Sequence, residues 1–133
     1  MTVILVVDDD PVIRLMLREA LALDGHSVLE AADGDACSRH LETSRPDLII
    51  TDIFMPEKDG IETICEVHDR WPDTKIIAMS TGGSRPEAMD YLKIAKGLGA
   101  DQVLHKPFSV KEILETVNDL LATGRRVGQT ATL

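Results

Sequence analysis

The chain has 133 residues, 44% of them hydrophobic but only 3% aromatic, with 23 acidic against 14 basic side chains for a formal charge of −9. That length holds a single domain with an aliphatic core covered on two sides and leaves no room for a second. The acidity disfavours phosphate backbones and anionic lipid, and few aromatics leave little stacking surface, so nucleic acid and membrane are set aside; proteins and cations are the expected partners.

Val3-Ile4-Leu5-Val6-Val7 is a continuous aliphatic run, as expected of a strand whose sheet is covered on both faces. With no basic region before it and Asp8-Asp9-Asp10 after it, the run is neither signal peptide nor membrane span, and a cytoplasmic protein is expected. Asp10-Pro11 supplies an N-cap and a first-turn proline for a helix with Ile13, Met16, Leu17, Ala20 and Leu21 inward, stopped at Asp24-Gly25. His26 to Ala31 is a second, weaker strand. Asp33 caps a helix to about Glu42 with Ala36, Cys37, His40 and Leu41 on one face, closed by Arg45-Pro46. Asp47-Leu48-Ile49-Ile50-Thr51-Asp52 is then a buried strand ending in a carboxylate.

Beyond the next loop, Asp59 and Glu62 form a capping pair for a helix with Ile61, Ile64, Cys65 and His68 on one face, ending near Trp71-Pro72. Lys75 to Ser80 is the fourth strand. Ser84 to Glu87 repeats the capping-box pattern for a helix carrying Met89, Leu92 and Ala95, terminated by Gly97 and Gly99. Gln102 to His105 is the fifth strand, and Ser109 with Glu112 caps a last helix with Val110, Ile113, Leu114, Val117 and Leu121 on one side. Cys37 and Cys65 read as small apolar groups in a reducing compartment, and the four histidines, scattered over different elements, show no ligand spacing. Strands alternating with helices give an α/β, doubly wound, five-stranded parallel sheet over residues 2–122. Residues 123–133 are expected to be a disordered C-terminal tail or truncated linker.

In an open α/β sheet the ligand lies beyond the carboxyl ends of the strands. Asp8, Asp9 and Asp10 follow strand one, Asp52 ends strand three, Ser80 and Thr81 end strand four, and Lys106 follows strand five. The aspartates alone would pass for an over-provided helix cap, and Lys106 alone for a surface lysine. Together they make a different case: facing carboxylates repel and are tolerated when a cation or a fixed lysine compensates them. Mg2+ suits such a site, since it takes one or two carboxylates, keeps several waters and accepts a phosphate oxygen. A carboxylate beside a metal and a lysine can attack a phosphoryl group and form an aspartyl phosphate, with Ser80 or Thr81 supplying a hydroxyl.

Val6-Val7-Asp8-Asp9-Asp10-Pro11, Asp47 to Pro56 with Asp59-Gly60, and Lys106-Pro107-Phe108 together resemble the receiver domain of two-component response regulators. The resemblance implies a flavodoxin-like (βα)5 fold with strand order 2-1-3-4-5, and a stand-alone phosphoacceptor in a two-component system or phosphorelay. It implies that Asp52 takes a phosphoryl group from a sensor histidine kinase or histidine phosphotransfer protein. Asp8, Asp9, Asp52 and the backbone carbonyl of Phe54 would hold Mg2+, Lys106 would pair with the phosphoryl oxygens behind a cis Lys106-Pro107 bond, and Ser80 would be the switch hydroxyl. Phosphorylation would alter the surface of helix four, strand five and helix five, which meets an unknown target protein, in a monomer or weak homodimer. Three features depart from the family pattern: Val103 replaces the aromatic switch residue, Thr81 is bulky for its position, and 26 residues separate Ser80 from Lys106. Asp8-Asp9-Asp10-Pro11-Val12 also resembles the nucleophile motif of haloacid-dehalogenase-type phosphatases, with Asp8 attacking, but the chain is short for that family and Asp52 is then unexplained. An unphosphorylated interaction module and a flavin-binding module are weaker still: intact Asp52 and Lys106 argue against the first, and the aspartates would repel a flavin phosphate.

Overall fold

The aliphatic runs pair into one parallel sheet: β1 (Val3–Val7), β2 (Ser27–Ala31), β3 (Leu48–Asp52), β4 (Lys75–Ser80) and β5 (Gln102–His105), in the order β2-β1-β3-β4-β5. This computed structural model describes residues 2–53, 60–80 and 93–123. The strands alternate with α1 (Pro11–Leu23), α2 (Gly34–Ser44), α3 (Gly60–Arg70), α4 (residues 93–98) and α5 (Val110–Thr123). All four strand pairings are parallel, so every connection crosses back over a sheet face.

Successive side chains on a strand point to opposite faces, and here both faces are buried. Leu5, Val7, Ile49, Ile76 and Ala78 pack against Cys37 and Leu41 of α2, Ile64 and Val67 of α3, and Ala95 of α4. Ile4, Val6, Leu48, Ile50, Ile77 and Met79 pack on the other side against Leu17 and Leu21 of α1 and Ile113, Val117 and Leu120 of α5. Each fully buried Ile or Leu is worth about 1.5–3 kcal/mol relative to exposure, so the central strands, buried along almost their whole length, hold the fold together.

The helix ends follow local chemistry. Asp10 Oδ1 accepts from the Val12 N–H at 2.9 Å, Asp33 Oδ1 from Ala36 at 2.8 Å, and Ser109 and Glu112 bond reciprocally at 3.0 and 3.2 Å. Gly25, at φ +91°, ends the α1 turn, and Arg45 closes α2 in the left-handed region at φ 46°.

Several expectations shift. β2 begins at Ser27 rather than His26, and α2 runs to Ser44. The inner face of α3 is Gly60, Thr63, Ile64 and Val67, while Cys65 is half-buried and His68 exposed. Its rotation is set by Gly60, which sits so close to the end of β3 that the positions one turn and two turns later must face inward. On α5 the inward line is Ile113, Val117 and Leu120, with Leu114 and Leu121 partly buried against the same core as expected, whereas Val110 is exposed. Gly97 lies within the helical residues, and Gly99 alone takes the left-handed turn, at φ +135°. α5 reaches Thr123, one residue into the segment read as tail. The expected caps at Asp59 and Ser84–Glu87, the helical positions Met89 and Leu92, and residues 124–133 lie outside the described residues.

Candidate functional site

Register alone brings the chemistry together. β1 ends at Val7, so Asp8 and Asp9 leave the sheet at its carboxyl edge, where Val7 lies beside Thr51. β3 ends on Asp52, beside Met79, and β4 ends on Ser80, beside His105. Lys106 follows, tied to β4 by its backbone N–H donating to the Ser80 carbonyl at 2.7 Å. The Lys106-Pro107 peptide bond is cis.

The Lys106 Nζ donates to Asp8 Oδ2 at 2.6 Å and lies 3.4 Å from Asp52 Oδ2. Asp8 and Ser80 are fully buried, Asp52 and Lys106 nearly so, and Asp9 is exposed at the mouth. A carboxylate oxygen of each of Asp8, Asp9 and Asp52 lies within 4.8 Å of the others. Among the described residues three carboxylates gather around one ammonium, which leaves negative charge uncompensated in a largely buried place. An all-oxygen set of this compactness suits a hard divalent cation, which supplies the missing charge. The polar groups of Asp8 are all engaged: its N–H donates to Ala31 at 3.1 Å, its carbonyl accepts from Arg14 Nη1 at 2.6 Å, and Oδ1 accepts from the Asp10 N–H at 2.9 Å.

Comparison with known proteins gives this arrangement its family. The model of the response regulator receiver domain matches residues 4–118. The chain belongs to that family. A response regulator MprA of Mycolicibacterium vanbaalenii is 36% identical over 118 residues, covering 89% of this chain and 49% of that protein, and MprA of Mycobacterium avium (strain 104) is 36% identical over 89% of this chain and 50% of that protein. This receiver chain thus spans about half the length of the curated relatives it matches. Among solved structures it is similar to the chemotaxis response regulator CheY4 of Vibrio cholerae, at 32% identity and a TM-score of 0.80 over 90% of this chain and 98% of that one. It is likewise similar to the receiver domain of NtrX from Brucella abortus, at 26% identity and a TM-score of 0.84 over 91% and 99% of the two chains.

Of the residues singled out in the sequence, the receiver fold brings Asp8, Asp9, Asp52, Ser80 and Lys106 to one rim. Phe54 and Thr81 lie outside the described residues. Val103 pairs with Ala78 and is half-buried against the face that carries α2 and α3. A phosphatase centred on Asp8 finds no support in these matches and leaves Asp52, 3.4 Å from the same ammonium, without a part to play. Among the described residues no helix is long and apolar enough to cross a membrane. Neither Cys37, which is buried, nor Cys65, which is half-buried, forms a disulfide.

Two neighbours of the site were not legible as such. A Cβ on Gly60 would stand 2.1 Å from the Asp52 carbonyl oxygen and 2.6 Å from Ile53 Cα, while the Gly60 N–H donates to the Ile53 carbonyl at 2.9 Å. Gly60 is therefore the spacer that lets α3 start against the end of β3, and the Asp59-Gly60 pair in the sequence was its only signal. Arg14, on an amphipathic helix, reads as a surface cation and yet binds the Asp8 main chain.

Proposed function

We propose that this receiver is the phosphoacceptor of a two-component system or phosphorelay, with Asp52 taking the phosphoryl group from a histidine kinase or phosphotransfer protein. The observation that carries the reading is the meeting of Asp52 with Asp8, Asp9 and Lys106 at the carboxyl edge of the sheet. An Asp52 carboxylate oxygen forms a bond to phosphorus as the phosphorus–nitrogen bond of the phosphohistidine breaks, and the electron pair returns to the imidazole. Asp8, Asp9 and Asp52, with the Phe54 carbonyl, would hold Mg2+, which supplies charge neutralisation for the transferred oxygens. Lys106 adds the second positive charge, and its main-chain tie to Ser80 keeps that strand end in line with it.

The phosphoryl group brings new acceptor oxygens to a rim where Lys106 and the Ser80 hydroxyl can donate to them. A few kcal/mol of differential interaction is enough to move a two-state equilibrium, and one or two charge-assisted hydrogen bonds supply it. The consequence is a changed surface on α4, β5 and α5 for a protein target. Val103, a branched aliphatic without a ring to swing, leaves Ser80 and the neighbouring Thr81 as the switch. The receiver acts in the cytoplasm and takes part in its own phosphorylation and dephosphorylation.

Intact mass after incubation with phosphoramidate and Mg2+ tests the acceptor. One added phosphoryl group is expected on the wild type and none on Asp52→Asn, with Asp8→Asn weakening the Mg2+ dependence. An adduct that survives Asp52→Asn and vanishes with Asp8→Asn would overturn the assignment.

A further inference from the structure

We infer that Arg14, held by Glu30, is a positioning residue that fixes the Asp8–Asp9 peptide for Mg2+; the inference rests on the metal reading above. Arg14 stands on α1, four-fifths buried, and reaches in two directions. Its Nη1 donates to the Asp8 carbonyl at 2.6 Å, and its Nε donates to Glu30 Oε1 on β2 at 3.2 Å. The planar fork of a guanidinium suits this double duty, because anchoring one nitrogen on Glu30 directs the other. The Glu30 carboxylate is in turn held by Arg18 Nη1 at 3.0 Å, and its backbone carbonyl bonds His40 Nε2 at 2.9 Å, so the anchor itself is tied to α1 and α2.

The Asp8 carbonyl and the Asp9 N–H belong to one rigid plane. Fixing the oxygen therefore fixes the point from which Asp9 departs. Asp8 is already locked by Ala31, Asp10 and Lys106, whereas Asp9 is the exposed member of the carboxylate set and the one with most to gain from a settled main chain. Partners of metal ligands that act in this way typically change metal affinity about 10- to 100-fold when removed.

Charge and position predict opposite signs. An arginine near a dication repels it, so on charge alone its removal tightens Mg2+. Loss of the carbonyl tether weakens it. The test is titration calorimetry of the whole chain with Mg2+ alone, comparing the wild type with Arg14→Gln, Arg14→Lys, Glu30→Gln, Arg18→Gln and Asp9→Asn, with the metal-free melting temperature of each. Arg14→Gln is expected to raise the Kd about 10-fold. Arg14→Lys, which keeps the charge but cannot serve both partners, and Glu30→Gln should each fall between it and the wild type. Arg18→Gln, which supports Glu30 from one step further out and does not touch Asp8, should raise the Kd less than Glu30→Gln does. An unchanged or tighter Arg14→Gln overturns the inference while leaving the metal site standing, as does an equal loss in Arg18→Gln. If Arg14→Gln does not fold, Glu30→Gln decides: weaker binding supports the tether and wild-type binding overturns it. A wild type that takes up no Mg2+, or an Asp9→Asn that binds as the wild type does, overturns the metal reading beneath it.

Discussion

Among the described residues Asp8 and Asp52 share the Lys106 ammonium and Asp9 stands beside them, so each substitution among the three is a test of charge balance. Mg2+ at a hundred times its Kd should stabilise the wild type by about 2.7 kcal/mol, read as a rise in melting temperature. Asp9→Asn should abolish that rise and, by removing one of three repelling carboxylates, melt a few degrees higher than the wild type without metal, about 4 °C for each ~1 kcal/mol relieved. Lys106→Ala does the reverse. It strips the partner from Asp8 at 2.6 Å and from Asp52 at 3.4 Å, and should cost about 3 kcal/mol in metal-free urea unfolding, partly recovered by Mg2+. At this scale the sequence showed the charged groups well, because a strand ending in an aspartate and a lysine at the end of another stand out. It marked Gly60 only through the Asp59-Gly60 pair and did not show Arg14, since an arginine on an amphipathic helix has the same pattern whether it meets water or a main-chain carbonyl.

At the scale of the element, Gly60 couples α3 to β3, the strand that ends in Asp52. Gly60→Ala puts a methyl group 2.1 Å from a carbonyl oxygen that has nowhere to go, so α3 must shift. A loss of about 3 kcal/mol is expected, the upper end of ordinary overpacking, together with slower phosphorylation of the neighbouring Asp52. Ser109→Ala removes one half of a reciprocal cap and should cost about 1 kcal/mol by denaturant unfolding, with the site intact. The strands were legible because parallel strands covered on both faces leave unbroken aliphatic runs. Helix faces were less so: on α3 the choice between Val67 and His68 depends on a rotation set by Gly60 against β3, a contact that periodicity does not contain. Val110 has the spacing of a core residue on α5 and yet is exposed, standing at the first position of the helix, ahead of the inward line of Ile113, Val117 and Leu120.

Over the whole molecule, the parallel sheet brings Asp8 and Lys106, 98 residues apart, into contact and sets β5 directly beside the strand that carries Ser80, the arrangement the proposed switch requires. On the proposed reading, a change at Ser80 and Lys106 would reach β5, which pairs with the end of β4, and the helices that flank it. The measurement that bears most directly on this is a backbone NMR spectrum before and after Mg2+ with beryllofluoride, a stable mimic of the phosphoryl group, on the wild type and Asp52→Asn. The wild type should shift at Ser80, Val103, Leu104 and His105 and along residues 93–98, only when Mg2+ is present, and Asp52→Asn should not. Shifts confined to Asp8, Asp9 and Asp52, or an Asp52→Asn spectrum that moves as the wild type does, would contradict a switch driven through Asp52.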